Sequence, residues 1–345
     1  MTAVLPGLPE TAGPFVIAEA GVNHNGRLDL ALELVDAALE SGANAIKFQT
    51  FEVDELVSAA APRAPYQRRP GESDSQADMI RSLALGQEAF EQIAAYCAEK
   101  KIVFLSTPFD RTSADIVCSL DVPVIKVASG EITNLPFLRY LAACGRPLII
   151  STGMASIGEV ERAVATVEAG GCDKYALLHC TSNYPLAPED VNLLAMRTLA
   201  REFECPVGYS DHSLGIEIAI AATALGAKII EKHLTLDRGL RGPDHQASLE
   251  VAEFKQMTEK LAVVTCALGD GVKRPANCEL AVAAVARRSL ATAHAMSAGS
   301  IVTENDLIAL RPGTGIPPSE APLVIGRRLR QSLPARTLIN LDVVE

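Results

Sequence analysis

Short apolar runs alternate with amphipathic stretches through most of this chain, and no other feature constrains the fold as much. The runs predict eight strands, at 15–19, 45–50, 102–107, 123–129, 147–152, 175–180, 207–210 and 228–231. Apolar residues at helical spacing separate them, as with Leu34, Val35 and Ala38 in the first interval. Strand–helix alternation over the roughly 250 residues of a typical (β/α)8 TIM barrel predicts that α/β fold. A doubly wound sheet is the alternative, but the loop GVNHNG after the first strand is not its glycine-rich phosphate turn.

The sequence changes character near residue 270. The stretch GDGVKRPANC has the composition of a linker, and the apolar runs beyond it are short and separated by Gly, Pro, Asn and Asp. We therefore expect a barrel over residues 1–270, a linker over 271–284 and a small β-rich domain over 285–345. The small domain is too short for a deep pocket of its own.

Composition excludes several classes of protein. The 345 residues are 48% hydrophobic and 21% charged, which is typical of a globular protein. A net charge of -11 argues against a nucleic-acid partner or an acidic membrane surface. The first residues lack a basic and apolar leader, and no run of about 18 apolar residues predicts a membrane span. The eight scattered cysteines form no CxxC pair, so we expect reduced thiols and a cytoplasmic protein.

Polar residues recur where the predicted strands end, which is where barrel enzymes keep their active sites. They are Glu19, Lys47, Gln49, Ser106, Thr107, Lys126, Ser129, Glu131, Ser151, Thr152, Thr181, Ser182, Asn183, Tyr184, Ser210, His212 and His233. Lys47 and Lys126 lie inside apolar strands, where an unpartnered lysine is costly. Each either pairs with a carboxylate such as Glu131 or binds an anion, and the hydroxyls nearby favour the anion.

His212 and His233 each follow a predicted strand, and one helix separates the two strands. Because neighbouring parallel strands end at the same edge of the sheet, the two imidazoles can meet at one ion. Two surface histidines would give the same pattern. No cysteine lies near them in the sequence, so a Cys-rich zinc site is excluded, and a catalytic divalent ion such as Mn²⁺ is the metal we expect.

The segment from residue 51 to residue 81 is long and lacks periodicity. Such segments are functional or disordered, and we interpret this one as a lid over the site, with a disordered insertion as the alternative. Within it, the loop 63–76 is where variation with substrate is expected. Its Arg68–Arg69 pair would meet a sugar phosphate or remain solvated.

A set of motifs then points to one family. They are FVIAEAGVNHNG at 15–26, IKFQT at 46–50, STPF at 106–109, KVASGE at 126–131, STGM at 151–154, CTSNYP at 180–185, GYSDH at 208–212, EKHLTLD at 231–237 and GPDH at 242–245. In order and spacing, the chain resembles the sialic acid synthases. The tail, with RPGTGI at 311–316, is similar to the antifreeze-like (SAF) domain of that family.

The resemblance implies a reaction and a set of residues. The family condenses phosphoenolpyruvate with an N-acetylated mannose-type aldose and water, giving a nine-carbon 2-keto acid and phosphate. By position, phosphoenolpyruvate would be held by Lys47, Thr107, Lys126, Ser129, Ser151, Asn183 and Ser210, and the open-chain sugar by Gln49, Glu131, Tyr184, Asp244 and Arg311. His212 and His233 would bind Mn²⁺, or Mg²⁺ or Co²⁺, which polarises the sugar aldehyde. Glu19 would meet positive charge at C2 of phosphoenolpyruvate or position water there, and Arg311 would act across a domain-swapped homodimer.

Several functions stay open at this stage. The first hypothesis is an N-acetylneuraminate synthase that uses N-acetylmannosamine, and the second is a legionaminate synthase that uses 2,4-diacetamido-2,4,6-trideoxymannose. Another phosphoenolpyruvate-dependent barrel synthase would not need the tail. An ice- or carbohydrate-binding module would not need the polar residues at the strand ends.

Overall fold

The computed structural model describes residues 3–58, 60–64, 67 and 75–345. They divide into two compact units, Met1–Gly269 and Asp270–Glu345. In the first unit the strands are β1 Phe15–Gly21, β2 Ala45–Thr50, β3 Val103–Pro108, β4 Ile125–Val127, β5 Leu148–Ser151, β6 Tyr175–His179, β7 Val207–Asp211, β8 Ile229–Thr235 and the short β9 Leu249–Glu250. The helices are α1 Leu28–Glu40, α2 Val53–Leu56, α3 Gln76–Arg81, α4 Gln87–Lys100, α5 Arg111–Ser119, α6 Leu135–Ala142, α7 Ile157–Ala169, α8 Ala195–Phe203, α9 Glu217–Ala224 and α10 Val251–Leu268.

The first eight strands form one parallel sheet that curls into a nearly closed barrel. Hydrogen bonds join them in the order β3-β2-β1-β8-β7-β6-β5-β4, with β9 added to β8. Within the described residues, no hydrogen-bonded ladder joins β3 to β4. The predicted (β/α)8 barrel is confirmed, and all the parallel strands end at one face of the unit.

Two of the intervals between strands are helical over only part of their length, and one predicted strand is shorter than the sequence indicated. Asn192 and Gly215 have φ of 50° and 72°, which a right-handed helix does not allow, so α8 and α9 begin after them. The predicted strand 123–129 keeps the sheet only over Ile125–Val127, because a 3₁₀ turn forms at Ser129–Glu131.

The barrel interior is apolar at the amino-terminal ends of its strands. Leu5 and Leu8, which precede β1, are buried against side chains from the strands. Those side chains are Phe15, Ile17, Ala45, Leu105, Val124, Ile149, Ala176, Leu178 and Ile229. A second and larger core fills the space between the strands and the surrounding helices. The described helices are all too short or too polar to cross a membrane.

The second unit is small and rich in short β-structure. Helix α11, Leu280–Ala286, precedes an antiparallel pair, β10 Ser289–Thr292 and β11 Leu307–Leu310. Isolated bridges connect further segments, including Met296 with Leu333 and Leu329 with Val344. The core of this unit contains Leu290, Met296, Val302, Ile316, Val324, Leu329, Leu333, Ile339 and Val344. The interval 271–284, predicted as a linker, thus contains most of α11.

Candidate active site

A cavity of about 500 Å³ opens at the carboxyl ends of the barrel strands. It brings together most of the residues predicted from the sequence: Glu19, Lys47, Gln49, Thr107, Lys126, Ser129, Ser151, Tyr184, Ser210, His212, His233 and Asp244. These side chains come from seven strands and from the loops after them. The barrel topology therefore gathers residues that are distant in the sequence.

Of the substrate-binding residues that the family resemblance implies, three are placed elsewhere. Asn183 is exposed, outside the residues that line the cavity. Glu131 is half-buried in the turn after β4, where its carboxylate accepts a hydrogen bond from Asn134 at 2.8 Å. Arg311 is an exposed residue of the second unit, so its action across a dimer stays a prediction.

The two buried lysines are paired with carboxylates. Lys47 Nζ lies 2.7 Å from Glu19 Oε2 and 3.8 Å from Glu231 Oε1, and it donates to Thr107 Oγ1 at 3.0 Å. Lys126 Nζ lies 3.8 Å from Glu231 Oε2 and donates to Ser151 Oγ at 2.6 Å. Glu131 was the partner suggested from sequence, and that suggestion is wrong, since Glu19 and Glu231 occupy this position. All four charged groups are buried, so each depends on the others for compensation.

The two carboxylates of this cluster differ in acidity. Burial raises the pKa of Glu19 to about 7, against the opposing effect of Lys47. Burial acts on Glu231 in the same direction, but the ammonium groups of Lys126 and Lys47 and the Ser210 hydroxyl outweigh it and lower the pKa to about 2. Glu231 is therefore ionised near neutral pH, whereas Glu19 exchanges a proton there. Carboxyls held at different acidities in one cavity are typical of acid–base sites.

His212 and His233 lie side by side at the ends of β7 and β8. Their ring centroids are 5.8 Å apart, and the Tyr184 ring lies 4.2 Å from the His212 ring. Burial lowers the pKa of both imidazoles, and the neighbouring His212 lowers that of His233 further. Both rings are therefore neutral near pH 7, which is the form that binds a metal ion.

The His212 ring has the hydrogen bond expected of a metal ligand. Its Nδ1 lies 2.7 Å from the Thr181 carbonyl oxygen, and a carbonyl can only accept, so Nδ1 donates and Nε2 keeps its lone pair. Among the described residues, no cluster of three or more His, Cys, Asp or Glu is arranged to hold an ion. The residues present thus fit an ion held by two imidazoles and completed by water or substrate oxygens. They do not form a closed structural site.

Asp244 and Gln49 share one corner of the cavity with Glu19. The Gln49 amide donates to Glu19 Oε1 at 3.2 Å, and burial raises the pKa of Asp244 to about 6. Gly21 has a φ of 52°, and a Cβ there would lie 3.2 Å from Glu19 Oε1 and 3.5 Å from Asp244 Oδ2. A glycine at this position keeps the space between the carboxyls open.

The Asp244 backbone is held by a chain of buried hydrogen bonds. Asn23 donates to Ser248 Oγ at 2.9 Å, and the Ser248 hydroxyl donates to the Asp244 carbonyl at 2.7 Å. Asn23 also donates to the Leu234 carbonyl at 2.8 Å. The loop after β1 therefore fixes the loop after β8.

The segment predicted as a lid forms one wall of the cavity. In its described part, Phe51, Val53 and Met79 pack in a small apolar cluster with Val22 and Leu83. The cavity is also lined by Leu56, Val57, Ala64, Gln67, Gln76 and Ile80. The Arg68–Arg69 pair lies outside the described residues.

Among the residues that line the cavity, sequence reasoning missed Met154, Cys180 and Glu231. Glu231 is the most important, because it contacts both lysines and accepts a hydrogen bond from Ser210 Oγ at 3.0 Å. The signal for it was present. Glu231 precedes His233 by two residues, and side chains two apart in a strand point to the same side.

Comparisons with known proteins agree with this architecture. Residues 34–273 match the NeuB family and residues 287–345 match the SAF domain. The N,N'-diacetyllegionaminic acid synthase of Legionella pneumophila is 47% identical over 96% of this chain and 94% of its own length. The Campylobacter jejuni protein of the same name is 43% identical over 87% of this chain and 91% of its own length.

A solved structure is also similar. The N-acetylneuraminic acid synthetase of Leptospira borgpetersenii, crystallised with citrate, has a TM-score of 0.70 and 38% identity, covering 79% of this chain and 90% of that one. The family model matches most of the chain, and two relatives are more than 40% identical to it over at least 91% of their own lengths. The chain therefore belongs to the NeuB family.

Proposed function

We propose that this protein condenses phosphoenolpyruvate with an open-chain N-acetylated mannose-type aldose and water to give a nine-carbon 2-keto sugar acid and phosphate. The observation that carries the proposal is the composition of one cavity. Two buried ammonium groups lie in it together with two neutral imidazoles and a carboxyl that titrates near pH 7. Anion binding, carbonyl activation and proton exchange are the three tasks of this reaction.

The lysine side of the cavity suits phosphoenolpyruvate. Lys47 and Lys126 supply positive charge, and Thr107, Ser151 and Ser210 present hydroxyls bonded to the charged cluster. When Glu19 is protonated, Lys47 loses its nearest counter-charge and becomes available to an incoming anion. Ammonium groups supported by hydroxyl donors are well matched to phosphate and carboxylate oxygens.

His212 and His233 would hold the divalent ion, for which Mn²⁺ is our first choice. Bound there, such an ion supplies Lewis-acid polarisation of the sugar aldehyde. The neutral rings and the hydrogen bond from His212 Nδ1 to Thr181 prepare Nε2 to act as a ligand.

Glu19 is placed to manage charge and protons at the reacting carbons. C3 of phosphoenolpyruvate attacks the aldehyde carbon, the aldehyde oxygen takes the proton of the protonated Glu19 carboxyl, and positive charge appears at C2. Water adds to C2 with loss of one proton, and the C–O bond to phosphate then breaks to give the keto group while the remaining hydroxyl proton leaves with the phosphate. A carboxylate at Glu19 stabilises the charge at C2, and a pKa of about 7 lets the same group take the proton lost by the water.

The relatives favour a diacetamido sugar as the aldose. Two relatives above 40% identity are N,N'-diacetyllegionaminic acid synthases, whereas the N-acetylneuraminic acid synthetase from Leptospira is 38% identical. We therefore place 2,4-diacetamido-2,4,6-trideoxymannose first and N-acetylmannosamine second, which reverses the order taken from sequence alone. Gln49, Tyr184 and Asp244 line the part of the cavity near the histidines and carboxyls where the sugar would bind.

The test is phosphate release from phosphoenolpyruvate with each of the two aldoses. We expect release that depends on the sugar, is faster with the diacetamido sugar, is abolished by EDTA and returns when Mn²⁺ is added. Faster release with N-acetylmannosamine would overturn the order of substrates but not the reaction. Absence of release with both aldoses, from folded and metal-loaded protein, would overturn the reaction itself.

The domain-swapped homodimer is part of the proposal, because Arg311 lies outside the barrel unit. Two inactive variants, His212→Ala and Arg311→Ala, would be unfolded and refolded together. If Arg311 acts across the dimer, the mixture should regain roughly a quarter of wild-type activity, since half of the randomly formed dimers are mixed and each has one intact site. No recovery in a mixture shown to contain mixed dimers would contradict the swapped arrangement.

A further inference from the structure

One buried ion pair beside the histidines has no part in the reaction described above. Lys232 Nζ lies 2.8 Å from Asp211 Oδ2, and both side chains are fully buried. Asp211 and Lys232 are direct neighbours in the register of β7 and β8. Because side chains alternate along a strand, the pair lies on the opposite face of the sheet from Ser210 and Glu231, which line the cavity.

The ion pair closes a turn around His212. Asp211 Oδ1 accepts hydrogen bonds from the Ser213 backbone N–H at 2.9 Å and from the Ser213 hydroxyl at 2.6 Å. Lys232 Nζ donates to the Ser213 carbonyl at 2.5 Å. One ammonium group therefore holds both residues that flank His212.

The same ammonium group belongs to the residue directly before His233. The two histidines differ in how their rings are held. The His212 ring is bonded to the Thr181 carbonyl at 2.7 Å, whereas His233 Nδ1 has no hydrogen-bond partner among the described residues. The position of the His233 ring thus depends on its backbone, which is paired with Glu19 of β1 and joined directly to Lys232.

We propose that the Asp211–Lys232 pair is a positioning device that sets the separation of His212 and His233. This inference rests on the proposed function in so far as it assigns these imidazoles to a divalent ion. A buried ion pair is often no more stable than two neutral groups of the same shape, so a purely stabilising role explains its presence poorly. A device that fixes two ligands relative to each other uses the directionality of an ion pair, which apolar packing lacks.

The experiment removes both charges and keeps the shapes. The double variant Asp211→Asn with Lys232→Met leaves no single charge buried, and the oxygen of the new amide can still accept from Ser213. The same two substitutions at Asp36 and Lys100, an ion pair of 2.9 Å between α1 and α4, make the matched control. Mn²⁺ affinity is measured by electron paramagnetic resonance titration, and histidine ring signals are measured by ¹⁵N NMR in the metal-free proteins.

If the pair positions the histidines, the Asp211–Lys232 variant should bind Mn²⁺ roughly tenfold to a hundredfold more weakly than the wild type. The ring signals of His212 and His233 should shift, those of His294 in the second unit should not, and KM for phosphoenolpyruvate should change little. The control should match the wild type in all of these. A folded Asp211–Lys232 variant with wild-type ring signals and Mn²⁺ affinity would overturn the proposal, whatever its Tm.

The two proposals fail in different ways. If the wild-type protein does not bind Mn²⁺, the metal role of the histidines in the proposed function is wrong. The ring signals of the metal-free proteins then decide the positioning role by themselves. Shifts confined to His212 and His233 support it, and unchanged signals exclude it.

Discussion

At the amino-terminal end of the barrel interior, apolar side chains pack against one another, while the carboxyl end of the same strands carries buried charges. Strand β8 shows both within a few residues, since Ile229 lies in the apolar cluster and Glu231 and His233 line the cavity. In β1 the inward residues change from Phe15 and Ile17 to Glu19 in the same way. Strands β1 and β8 therefore contribute to stability at one end and to chemistry at the other.

The difference between the two ends shows how the protein tolerates buried charges at the carboxyl end. Burying Glu19, Lys47, Lys126 and Glu231 costs desolvation energy that their mutual attraction only partly returns. The apolar end offsets that cost, at about 25 cal/mol for each Å² of apolar surface removed from water. Substitutions at the carboxyl end should consequently change activity and the pH dependence of stability, whereas substitutions at the apolar end should change stability alone. Four predictions test this separation.

Lys126→Met should have the largest effect, and on activity. It removes one of two cations available to phosphoenolpyruvate and takes from Glu231 the group that most lowers its pKa. We expect kcat/KM for phosphoenolpyruvate to fall about 10³-fold, the loss seen when a preorganised electrostatic contact is deleted.

The matched control is Lys228→Met, an exposed lysine next to the amino-terminal end of β8. In steady-state kinetics, kcat/KM of the control for phosphoenolpyruvate should stay within a few-fold of the wild-type value. Equal losses in both variants would show that the two ends are not functionally separate.

Glu19 should make stability depend on pH. Its pKa is raised from 4.5 to about 7 in the folded protein, so the folded state binds the proton more tightly than the unfolded state does. The stabilisation from this group is complete below pH 4.5 and is lost as pH rises through 7. Relative to Glu19→Gln, the wild type should lose on the order of 3 kcal/mol of unfolding free energy between these limits.

Urea denaturation of both proteins across this pH range measures the difference, and subtraction removes contributions from other groups. A difference that stays constant with pH would mean that Glu19 is ionised throughout. In that case its role as a proton acceptor would fail, while its electrostatic role would remain.

The sequence was sufficient to locate the site because the parallel sheet leaves few choices. Apolar runs fix the strands, parallel strands end at one face, and polar residues at those ends must meet there. This is why Lys47, Thr107, Lys126, Ser151, Ser210 and the two histidines were found together before the fold was known. Glu231 could have been added by counting back two residues from His233.

The pairings inside the site could not be read from the sequence. Glu131 was named as an example of a carboxylate that could pair with a buried lysine, but it lies in the turn after β4 and accepts from Asn134. Glu231 from β8 is the carboxylate beside Lys126. Asn183 was predicted to bind substrate but lies outside the residues that line the cavity, for a related reason. It follows β6 in a loop, where strand alternation no longer predicts the side on which a side chain lies.

Leu8→Ala should act on stability alone. Leu8 is buried against the apolar end of the barrel, and its truncation leaves a cavity that the surrounding strands cannot fill. We expect the free energy of unfolding to fall by about 2–4 kcal/mol, with kcat per folded molecule unchanged. Thermal unfolding and kinetics on the same preparation measure both, and a loss of kcat without a loss of stability would contradict the division between the two ends.

Gly208→Ala should have the smallest effect on the free energy of unfolding. It tests where, within one strand, the apolar end stops and the charged end begins. Gly208 lies in β7 two residues before Ser210, and an added Cβ would lie 2.4 Å from the Ile229 carbonyl oxygen and 2.7 Å from a Leu178 methyl carbon. Because backbone at this distance has to move, we expect a loss of about 1–3 kcal/mol in unfolding free energy. The displaced strand also carries Ser210 and His212, so a modest rise in the Mn²⁺ concentration needed for half-maximal activity should accompany the loss. Lower stability with an unchanged Mn²⁺ requirement would mean that the strain is absorbed before it reaches the carboxyl end, and that the two regions are independent even within one strand.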